Sequence, residues 1–403
     1  MAINLERYNR QNLIEGWQQE KLYNLKVSLA GSGLLSDFLL VDLISLGIGR
    51  NTRTGSSCSF EFEKINPEVY IEQRDEEITS FQMAELCIED SDFVIDATND
   101  TRSKHFLFEA AKKKNLNYFS ASCSKSGLSF SFNRNGEVFD DSTQGAVNSM
   151  ICAGIVADEL RKRAFCLKRD RQLDRLEIGV KEPSNLEKKI LQVGAGAIGT
   201  FSALALALKS AQIKIIDFDV VEESNLNRQF LFYDSIGKNK AEALSKMLEK
   251  YSRKIQNGTE KIGENFDPSG YDFVFSCVDN NQARYFMNLA SAKHSVPLIN
   301  GGSSTFAGNA MPYFPGKTAC LDCQLGYDLT ETAKEEEQPK KREIGACFHP
   351  ALIIPNQIIA GLMLICVEKA ISGKYEKINY LSGEGLLFQE IEDQCFSECR
   401  KNG

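Results

Sequence analysis

The sequence predicts an α/β protein made of two tandem Rossmann-like units, each a doubly wound and mainly parallel sheet. The 403-residue chain is long enough for two domains. Two landmarks, a glycine turn and a strand-end motif, recur in the same order in its two halves. Each half also alternates strand-like and helix-like segments, which favours a parallel sheet with helices on both faces.

The glycine turn is the first repeated landmark. In the first half, an apolar run at residues 25–30 meets the turn GSGLLS at residues 31–36. In the second half, the run at residues 190–193 meets GAGAIG at residues 194–199, and the helix-prone stretch SALALAL follows at residues 202–208. Both segments therefore predict a strand, a glycine turn and a helix.

The strand-end motif is the second landmark. Residues 92–100 (DFVIDATND) match residues 272–280 (DFVFSCVDN) position for position. Between the halves, residues 168–189 are rich in charge, contain a proline and lack sustained apolar periodicity. We therefore expect a first domain at residues 1–167, a linker at 168–189 and a second domain at 190–403.

Composition and charge exclude several classes of protein. With 47 basic and 55 acidic residues the net charge is −8, so no nucleic-acid partner is expected. The most apolar segment, residues 351–367, is interrupted by Pro355, Asn356 and Gln357 and is too short for a bilayer span. We interpret it as a buried helix with Pro350 in its first turn, and expect no membrane partner.

Cysteine usage indicates the compartment. The chain has twelve cysteines but is long enough to need no disulfides, and no secretory segment is recognised at its start. We therefore expect a reducing, cytoplasmic environment, in which cysteines are buried, bind metal or act chemically.

The two glycine turns differ in chemistry. Glycines let backbone N–H groups approach a phosphate, and the second half keeps all three, at Gly194, Gly196 and Gly199. In the first half Ser36 replaces the third glycine. This difference predicts one nucleotide site, in the second half.

The strand-end motifs also predict a nucleotide site in the second half and not in the first. Asn99 stands where the second half has Asp279, and a neutral amide is a poorer ligand for a divalent cation than a carboxylate. Asp217 follows an apolar run 23 residues after Gly194, where dinucleotide sites place an acidic residue on the ribose. On these residues alone, an NAD-dependent oxidoreductase remains an open alternative.

The residues that follow resemble a known family. The run DFDVVEESNLNRQ at residues 217–229 is followed by GKNK at residues 237–240 and CVDN at residues 277–280. Together they closely resemble the adenylation domain shared by ubiquitin-activating enzymes and by the bacterial sulfur-carrier activators of thiamine and molybdopterin synthesis. The resemblance implies an inactive and an active adenylation domain that form a pseudo-dimer.

The resemblance also implies roles for individual residues. Asp217 would hold the ribose of ATP, Asp279 would coordinate Mg²⁺, and both Arg228 and Lys240 would contact phosphate, as would Asn225. We expect Arg228, Lys240 and Asp279 to be catalytic, because adenylyl transfer depends on positioning and charge neutralisation. The residues expected to bind the nucleotide are Gly194, Gly196, Gly199, Asp217, Asp219, Asn225, Arg228, Gln229, Lys240, Asp279 and Asn280. The ordinary alternative places the two cations on a solvated helix face.

The N-terminal segment RYNRQ at residues 7–11 matches the same family. In that family an arginine of this motif reaches the ATP bound by the opposite half. The resemblance therefore implies that the inactive half supplies Arg10 as a catalytic group, with Arg7 as a second candidate. The alternative is a surface helix with ordinary charges.

Two close cysteine pairs predict a metal site. Cys320 with Cys323, and Cys395 with Cys399, are spaced as thiolates that hold tetrahedral Zn²⁺. The family carries a structural four-cysteine zinc at these places, so the resemblance implies a zinc knuckle in the second domain. The alternative is four reduced, buried thiols.

Cys347 is the candidate nucleophile. It precedes the apolar helix, where the positive end of the helix dipole would lower its pKa, and His349 is close enough to modulate it. In the family a crossover loop, here residues 324–346, passes over the bound protein tail and leads to the thioester cysteine. The alternative is a small buried residue at the helix start. The other seven cysteines are expected to be packing residues: Cys58, Cys87, Cys123, Cys152, Cys166, Cys277 and Cys366.

These features predict an activating enzyme for a ubiquitin-like protein. It would use ATP, Mg²⁺ and Zn²⁺, adenylate the C-terminal glycine of the modifier, and capture the acyl group on Cys347 as a thioester. A conjugating enzyme is left open as a further partner, because we expect no ubiquitin-fold domain after Cys399. Two alternatives stay open: a sulfur-carrier-type adenylyltransferase without an enzyme thioester, and an inactive scaffold that binds a modifier.

Overall fold

The structure is a computed structural model that describes residues 6–56, 60–136, 138–139, 144–166, 172–326, 329, 349–392 and 395. In this part of the chain, two β-sheets enclose a layer of helices. The predicted α/β class, with two mainly parallel Rossmann-like sheets, is confirmed.

The first sheet has seven strands among the described residues, in the order β3-β2-β1-β4-β5-β6-β7. In chain order they are β1 (Lys26–Ala30), β2 (Arg50–Thr54), β3 (Tyr70–Arg74), β4 (Phe93–Asp96), β5 (Asn117–Cys123), β6 (Gly127–Phe132) and β7 (Arg175–Gly179). Strands β1 to β5 are parallel to one another, whereas β6 pairs antiparallel with both β5 and β7. The central strands β1 and β4 are almost wholly buried, as parallel strands covered on both faces are.

The second sheet repeats this order and adds one strand. Its strands are β8 (Lys189–Val193), β9 (Gln212–Ile216), β10 (Ile255–Gly258), β11 (Phe273–Ser276), β12 (Leu298–Ser303), β13 (Ala307–Tyr313), β14 (Glu376–Leu381) and β15 (Gly385–Glu390). The order is β10-β9-β8-β11-β12-β13-β14-β15, with β13, β14 and β15 antiparallel. The duplication seen in the sequence is therefore a duplication of strand order.

Helices connect and cover the strands. In the described residues they are α1 (Asn9–Asn12), α2 (Gln19–Tyr23), α3 (Leu34–Leu46), α4 (Phe62–Ile65), α5 (Phe81–Cys87), α6 (Thr101–Lys113), α7 (Ala146–Ala164), α8 (Ala197–Leu208), α9 (Lys240–Leu248), α10 (Asn281–His294), α11 (Leu321–Leu325) and α12 (Ile353–Ile371). Helices α3 and α7 of the first half pack with α8 and α12 of the second half between the sheets. A single hydrophobic core runs through this layer, and it contains Phe38, Val147, Phe201 and Ile359.

The two long helices at the centre approach closely through glycine. A Cβ added to Gly154 of α7 would lie 2.6 Å from Cγ1 of Ile358, and one added to Gly361 of α12 would lie 2.6 Å from Cγ1 of Ile151. The contact is reciprocal, because each helix places an isoleucine over the glycine of the other. Larger residues would hold the helices apart, so the two glycines set the distance between the halves.

Helix α12 is the buried helix that the sequence predicts. The expectation that the segment is too short for a membrane span is wrong, because the helix has 19 residues and an apolar composition that would suit one; residues 353–367 are nevertheless all buried inside the protein. The expectation that Pro350 lies in its first turn is wrong. The helix begins at Ile353 after an extended Leu352, and Pro355 occupies the first turn, where a backbone N–H has no helical partner to lose.

Part of the predicted linker is a strand. Residues 175–179, inside the range 168–189, form β7 and pair antiparallel with β6. Leu176 and Ile178 are more buried than Arg175 and Glu177, which is the alternation of an edge strand with one covered face. The high charge of the segment hides this short alternating pattern. The boundaries of the two domains remain a prediction.

Replacing Gly361 by Ala should destabilise the protein, because the added methyl group meets Ile151. Overpacking a core costs roughly 1–3 kcal/mol, whereas Ala in an unobstructed helix gains about 1 kcal/mol over Gly. We expect a net fall of about 1 kcal/mol in the free energy of unfolding, measured by denaturant titration.

The double variant Gly361→Ala, Ile151→Ala supplies the control. The new methyl group partly fills the space that Ile151 leaves, so the double variant should lose less stability than the two single variants together. Additive losses, or a Gly361→Ala variant more stable than the wild type, would mean that the helices are not held at this contact.

Candidate functional site

A cavity of about 1100 Å³ opens at the carboxyl ends of the second sheet. Its wall includes the ends of β8 and β9 and the residues that follow β11 and β12. Ligands of open α/β sheets bind at this edge, next to the point where the strand order reverses. In the second sheet that point lies between β8 and β11.

The glycine turn after β8 forms one wall of the cavity. Gly194 has φ +100°, and an added Cβ would lie 2.6 Å from the carbonyl oxygen of Cys277, so both the conformation and the space require glycine. Gly196 lines the cavity with open space where its Cβ would stand. Gly199 does not line it: an added Cβ would lie 2.2 Å from the Gly194 carbonyl oxygen, so this glycine lets α8 pack against the turn.

Asp217 ties the turn to the end of β9. Its Oδ2 accepts a hydrogen bond from Ala195 N at 2.6 Å, and its Oδ1 accepts one from Asp219 N at 2.8 Å. Burial raises the pKa of Asp217, and the two backbone hydrogen bonds oppose that rise. The carboxylate therefore reaches the cavity already oriented by the backbone.

Lys240 enters the cavity as the first residue of α9. Its Nζ donates to Oδ2 of Asp219 at 3.0 Å. Asn239 caps the helix by accepting from Glu242 N, and its Nδ2 donates to the Asp217 carbonyl oxygen at 2.8 Å. The start of α9 is thus fixed to the strand end that carries the acidic residues.

A short 3₁₀ turn at Glu223–Asn225 precedes Arg228 and Gln229. The last residue of the turn, Asn225, lines the cavity together with Arg228 and Gln229. Arg228 Nη1 donates to the Ser224 carbonyl oxygen at 2.7 Å and to Asn227 Oδ1 at 2.9 Å. Burial lowers the pKa of Arg228 to about 10, so it stays cationic at neutral pH. Gln229 is 3% exposed, and its Oε1 has no hydrogen-bond partner among the described residues.

Arg10 comes from the first half and lines the same cavity. Its Nη1 donates to the His349 carbonyl oxygen at 3.3 Å, and its own carbonyl oxygen accepts from Ala351 N at 3.2 Å. Burial lowers the pKa of Arg10, whereas Glu222 and Asp279 raise it. The expectation for Arg7 is wrong: it is buried in the first half, where Nη1 donates to the Ile65 carbonyl oxygen at 2.9 Å.

Asp279 and Asn280 lie at the end of the strand-end motif, and both line the cavity. Asn280 Oδ1 accepts from Ala283 N at 2.8 Å, so its side chain caps α10. Arg284, one turn further on, also lines the cavity and donates from Nη2 to the Val278 carbonyl oxygen at 2.8 Å. This bond fixes the backbone next to Asp279.

Sequence reasoning did not single out Arg284, Glu222 or Phe218, which all line the cavity. Arg284 lies in the first turn of α10, which begins directly after the strand-end motif. Glu222 interacts electrostatically with both Arg10 and Arg228. Phe218 is 53% exposed, which marks it as an apolar side chain on the rim.

The first half lacks several of these groups. Gly55 follows β2 where Asp217 follows β9, and Asn99 takes the place of Asp279. Among the described residues between β2 and β3, only the four-residue helix α4 is present, whereas α9 with Lys240 connects β9 to β10. The first half lacks these charged groups because its connection from β2 to β3 is shorter and because uncharged residues stand in place of Asp217 and Asp279.

Three of the four predicted zinc ligands come together. The Sγ atoms of Cys320, Cys323 and Cys395 all lie within 4.8 Å of one another, with Cys320 and Cys323 3.8 Å apart. Two sulfurs of a tetrahedral site with Zn–S bonds of about 2.3 Å are separated by nearly this distance. Cys320 N also donates to Cys395 Sγ at 3.2 Å. The fourth predicted ligand, Cys399, lies outside the described residues.

Cys347 lies outside the described residues, as does most of the predicted crossover loop. Residues 324 and 325 of that range are the end of α11. Of the residues after Cys347, both His349 and Ala351 line the cavity. Cys277 lines it too, but burial raises the pKa of this thiol to about 12.

The cysteines expected to pack are mostly buried. Among the described residues these are Cys87, Cys123, Cys152, Cys277 and Cys366. Cys166 is exposed, so that expectation is wrong; it follows α7 with φ +52°, where the chain turns away from the core. Cys58 lies outside the described residues.

The comparisons with known proteins agree with the motifs. Among curated relatives, SUMO-activating enzyme subunit 2 of Dictyostelium discoideum is 37% identical over 145 residues, which cover 34% of this chain and 22% of that protein. Ubiquitin-like modifier-activating enzyme 5 of Drosophila willistoni is 32% identical over 222 residues, which cover 50% of this chain and 53% of that protein. The chain thus spans between about a fifth and about half of the length of these relatives.

A solved structure of E. coli MccB with ATP is 26% identical, with a TM-score of 0.43, covering 54% of this chain and 66% of that chain. The model of the ThiF family matches residues 170–403, which is more than half of this chain. All the cavity residues fall within that range except Arg10. The chain therefore belongs to the ThiF family, and the two curated relatives above are named as activating enzymes for ubiquitin-like proteins.

Proposed function

We propose that this chain activates a ubiquitin-like protein by using ATP to adenylate its C-terminal glycine. The observation that carries the proposal is the convergence of Arg10, Arg228 and Lys240 with the carboxylate of Asp279 on one cavity. Three cations and one carboxylate suit a triphosphate with a divalent cation. The names of the two curated relatives, a SUMO-activating subunit and a ubiquitin-like modifier-activating enzyme, support the same substrate class.

Each residue has a proposed part in the reaction. The modifier carboxylate attacks the α-phosphorus of ATP, the bond from that phosphorus to the α–β bridging oxygen breaks, an acyl adenylate forms, and the two outer phosphates leave as pyrophosphate. Arg10, Arg228 and Lys240 neutralise the charge that develops on this leaving group. Asp217 holds the ribose, and the unpartnered Oε1 of Gln229 accepts from a bound polar group. Mg²⁺ on Asp279 would supply further charge neutralisation at the phosphates, and a carboxylate is the ligand it prefers.

The two halves have unequal parts in this proposal. Residues 1–167 form an inactive adenylation-like domain, residues 168–189 connect it to the active domain at 190–403, and the pair acts as a pseudo-dimer. The reciprocal contact of α7 with α12 supports this arrangement. The inactive half contributes Arg10, which lines the cavity of the other half.

A second step on the enzyme is also proposed. The Cys347 thiolate attacks the acyl carbonyl of the adenylate, a thioester forms, and AMP leaves. The support is that His349 and Ala351, directly after this cysteine, line the cavity. Cytoplasmic location and transfer to a conjugating enzyme remain predictions from the sequence.

Exchange of labelled pyrophosphate into ATP tests the adenylation step. We expect exchange that depends on a ubiquitin-fold protein from the same organism ending in glycine, and none when that glycine is deleted. Arg10→Ala should slow exchange roughly 10–100-fold, the loss of one charge-assisted contact. Arg7→Ala, the matched control, should lower the unfolding temperature but keep exchange per folded molecule. No exchange with any such modifier, or equal rates in the two variants, would contradict the proposal.

Cys347→Ala tests the thioester. With ATP and the modifier, the wild type should form an adduct on non-reducing gels that dithiothreitol removes, and Cys347→Ala should form none while it retains pyrophosphate exchange. Cys166→Ala, which removes an exposed cysteine that does not line the cavity, should keep the adduct. An adduct that persists in Cys347→Ala would assign the nucleophile elsewhere. Exchange without any adduct would favour the sulfur-carrier type of activation.

A four-cysteine zinc knuckle is the last part of the proposal. Metal analysis of the purified protein should give one Zn²⁺ per chain, and Cys320→Ser should remove it and lower the unfolding temperature, because structural zinc contributes directly to folding. Cys166→Ser should retain the metal. Zinc still bound by Cys320→Ser would rule out this ligand set.

A further inference from the structure

The glycine turn of the first half is closed by a side chain of its own chain. Gln144 Oε1 accepts from Leu35 N at 3.2 Å, and Gln144 Nε2 donates to the Ser32 carbonyl oxygen at 3.1 Å. A Cβ on Gly33 would lie 2.6 Å from Gln144 Oε1. The carboxamide oxygen therefore occupies the start of α3, where a helix N-terminus would otherwise receive a phosphate oxygen.

The counterpart of Gln144 in the second half follows from a comparison of helices α7 and α12. Helices α7 and α12 have 19 residues each. Ile151 and Gly154 of α7 meet Gly361 and Ile358 of α12, so the two pairs occupy the same positions along their helices. With this register, the residue two places before α7 is Gln144, and the residue two places before α12 is Ala351.

The second glycine turn is open where the first is closed. Ala351 lines the cavity, and so does Ile198, the counterpart of Leu35. Nothing lies within 4 Å of a Cβ added to Gly196, the counterpart of Gly33. Ala351 is also held in place, because its N donates to the carbonyl oxygen of Arg10 at 3.2 Å. A methyl group therefore stands where the first half has a carboxamide that spans the turn.

We propose that the residue at this position controls whether a phosphate can reach the glycine turn of its own half: Gln144 closes the first glycine turn, and Ala351 keeps the second one open. Ala351 is then a positioning residue, whose small size leaves the backbone N–H groups of the turn available to phosphate. The identification of the ligand as ATP rests on the proposed function, but the closure of the turn by Gln144 does not.

Ala351→Gln tests the proposal by placing the closing side chain in the active half. Titration calorimetry with MgATP and with inorganic tripolyphosphate should show affinities at least about tenfold weaker than in the wild type, because each ligand must displace two hydrogen bonds. The unfolding temperature without ligand should not fall, since the glutamine satisfies groups of the turn. This combination of weaker binding with unchanged or higher stability would not come from a general disruption of the fold.

Gln144→Ala is the matched control. It removes the closing side chain of the first half, so it should lower the unfolding temperature and leave the affinity for MgATP unchanged. The stoichiometry should remain one ATP per chain, because Gly55 and Asn99 still replace Asp217 and Asp279.

The outcomes separate this inference from the proposed function. Equal affinities for wild type and Ala351→Gln would overturn the inference and leave the proposed function intact. A wild type that binds tripolyphosphate but not MgATP would overturn the proposed function, and the tripolyphosphate affinities of the variant would then decide the inference. A wild type that binds neither would overturn both.

Discussion

The contact between α7 and α12 sets the geometry on which the rest of the molecule depends. Glycine at the crossing of each helix lets the partner isoleucine approach. Polar groups reinforce this approach: Gln357 Nε2 donates to Asp42 Oδ2 and to the Met150 carbonyl oxygen, both at 2.9 Å. With the helices at this distance, Arg10 of one half lines the cavity of the other. The association of the two halves thus brings a side chain of the first half to a site at the carboxyl edge of the second sheet.

The two units have the same strand order but different side chains at the carboxyl ends of their strands. In the first half Lys104 is fully buried, and its Nζ lies 3.3 Å from Asp96 Oδ1, while the Tyr118 hydroxyl donates to Asp96 Oδ2 at 2.6 Å. In the second half the counterpart of Lys104 is Arg284, which lines the cavity. The first half thus has a buried, hydrogen-bonded ion pair at the strand end where the second half has the cavity.

Much of this organisation could be predicted from the sequence, because its signals are local. The glycine turns, the strand ends and the run around Arg228 lie within short segments, and each marks an element that the structure contains. The features that were not predicted depend on how segments far apart in the sequence pack together. Arg7 and Arg10 share one motif, and only packing of the N-terminal segment decides which of them faces the cavity.

Other elements were not predicted correctly because their amino-acid composition gave an ambiguous signal. Strand β7 was hidden by charged residues that face solvent. The start of α12 was obscured because two prolines, Pro350 and Pro355, are both compatible with a first turn. Gln144 could not be recognised from the sequence, because its meaning appears only when the register of two helices, far apart in the chain, is known.

The position of Arg10 has a consequence for how the protein would respond to dilution. When two separate subunits complete one site, the fraction of complete sites falls with protein concentration, as subunits dissociate. Here the arginine and the cavity lie on the same chain, so their encounter is intramolecular and its effective concentration is set by the fold. The contribution of Arg10 to the cavity is therefore independent of protein concentration.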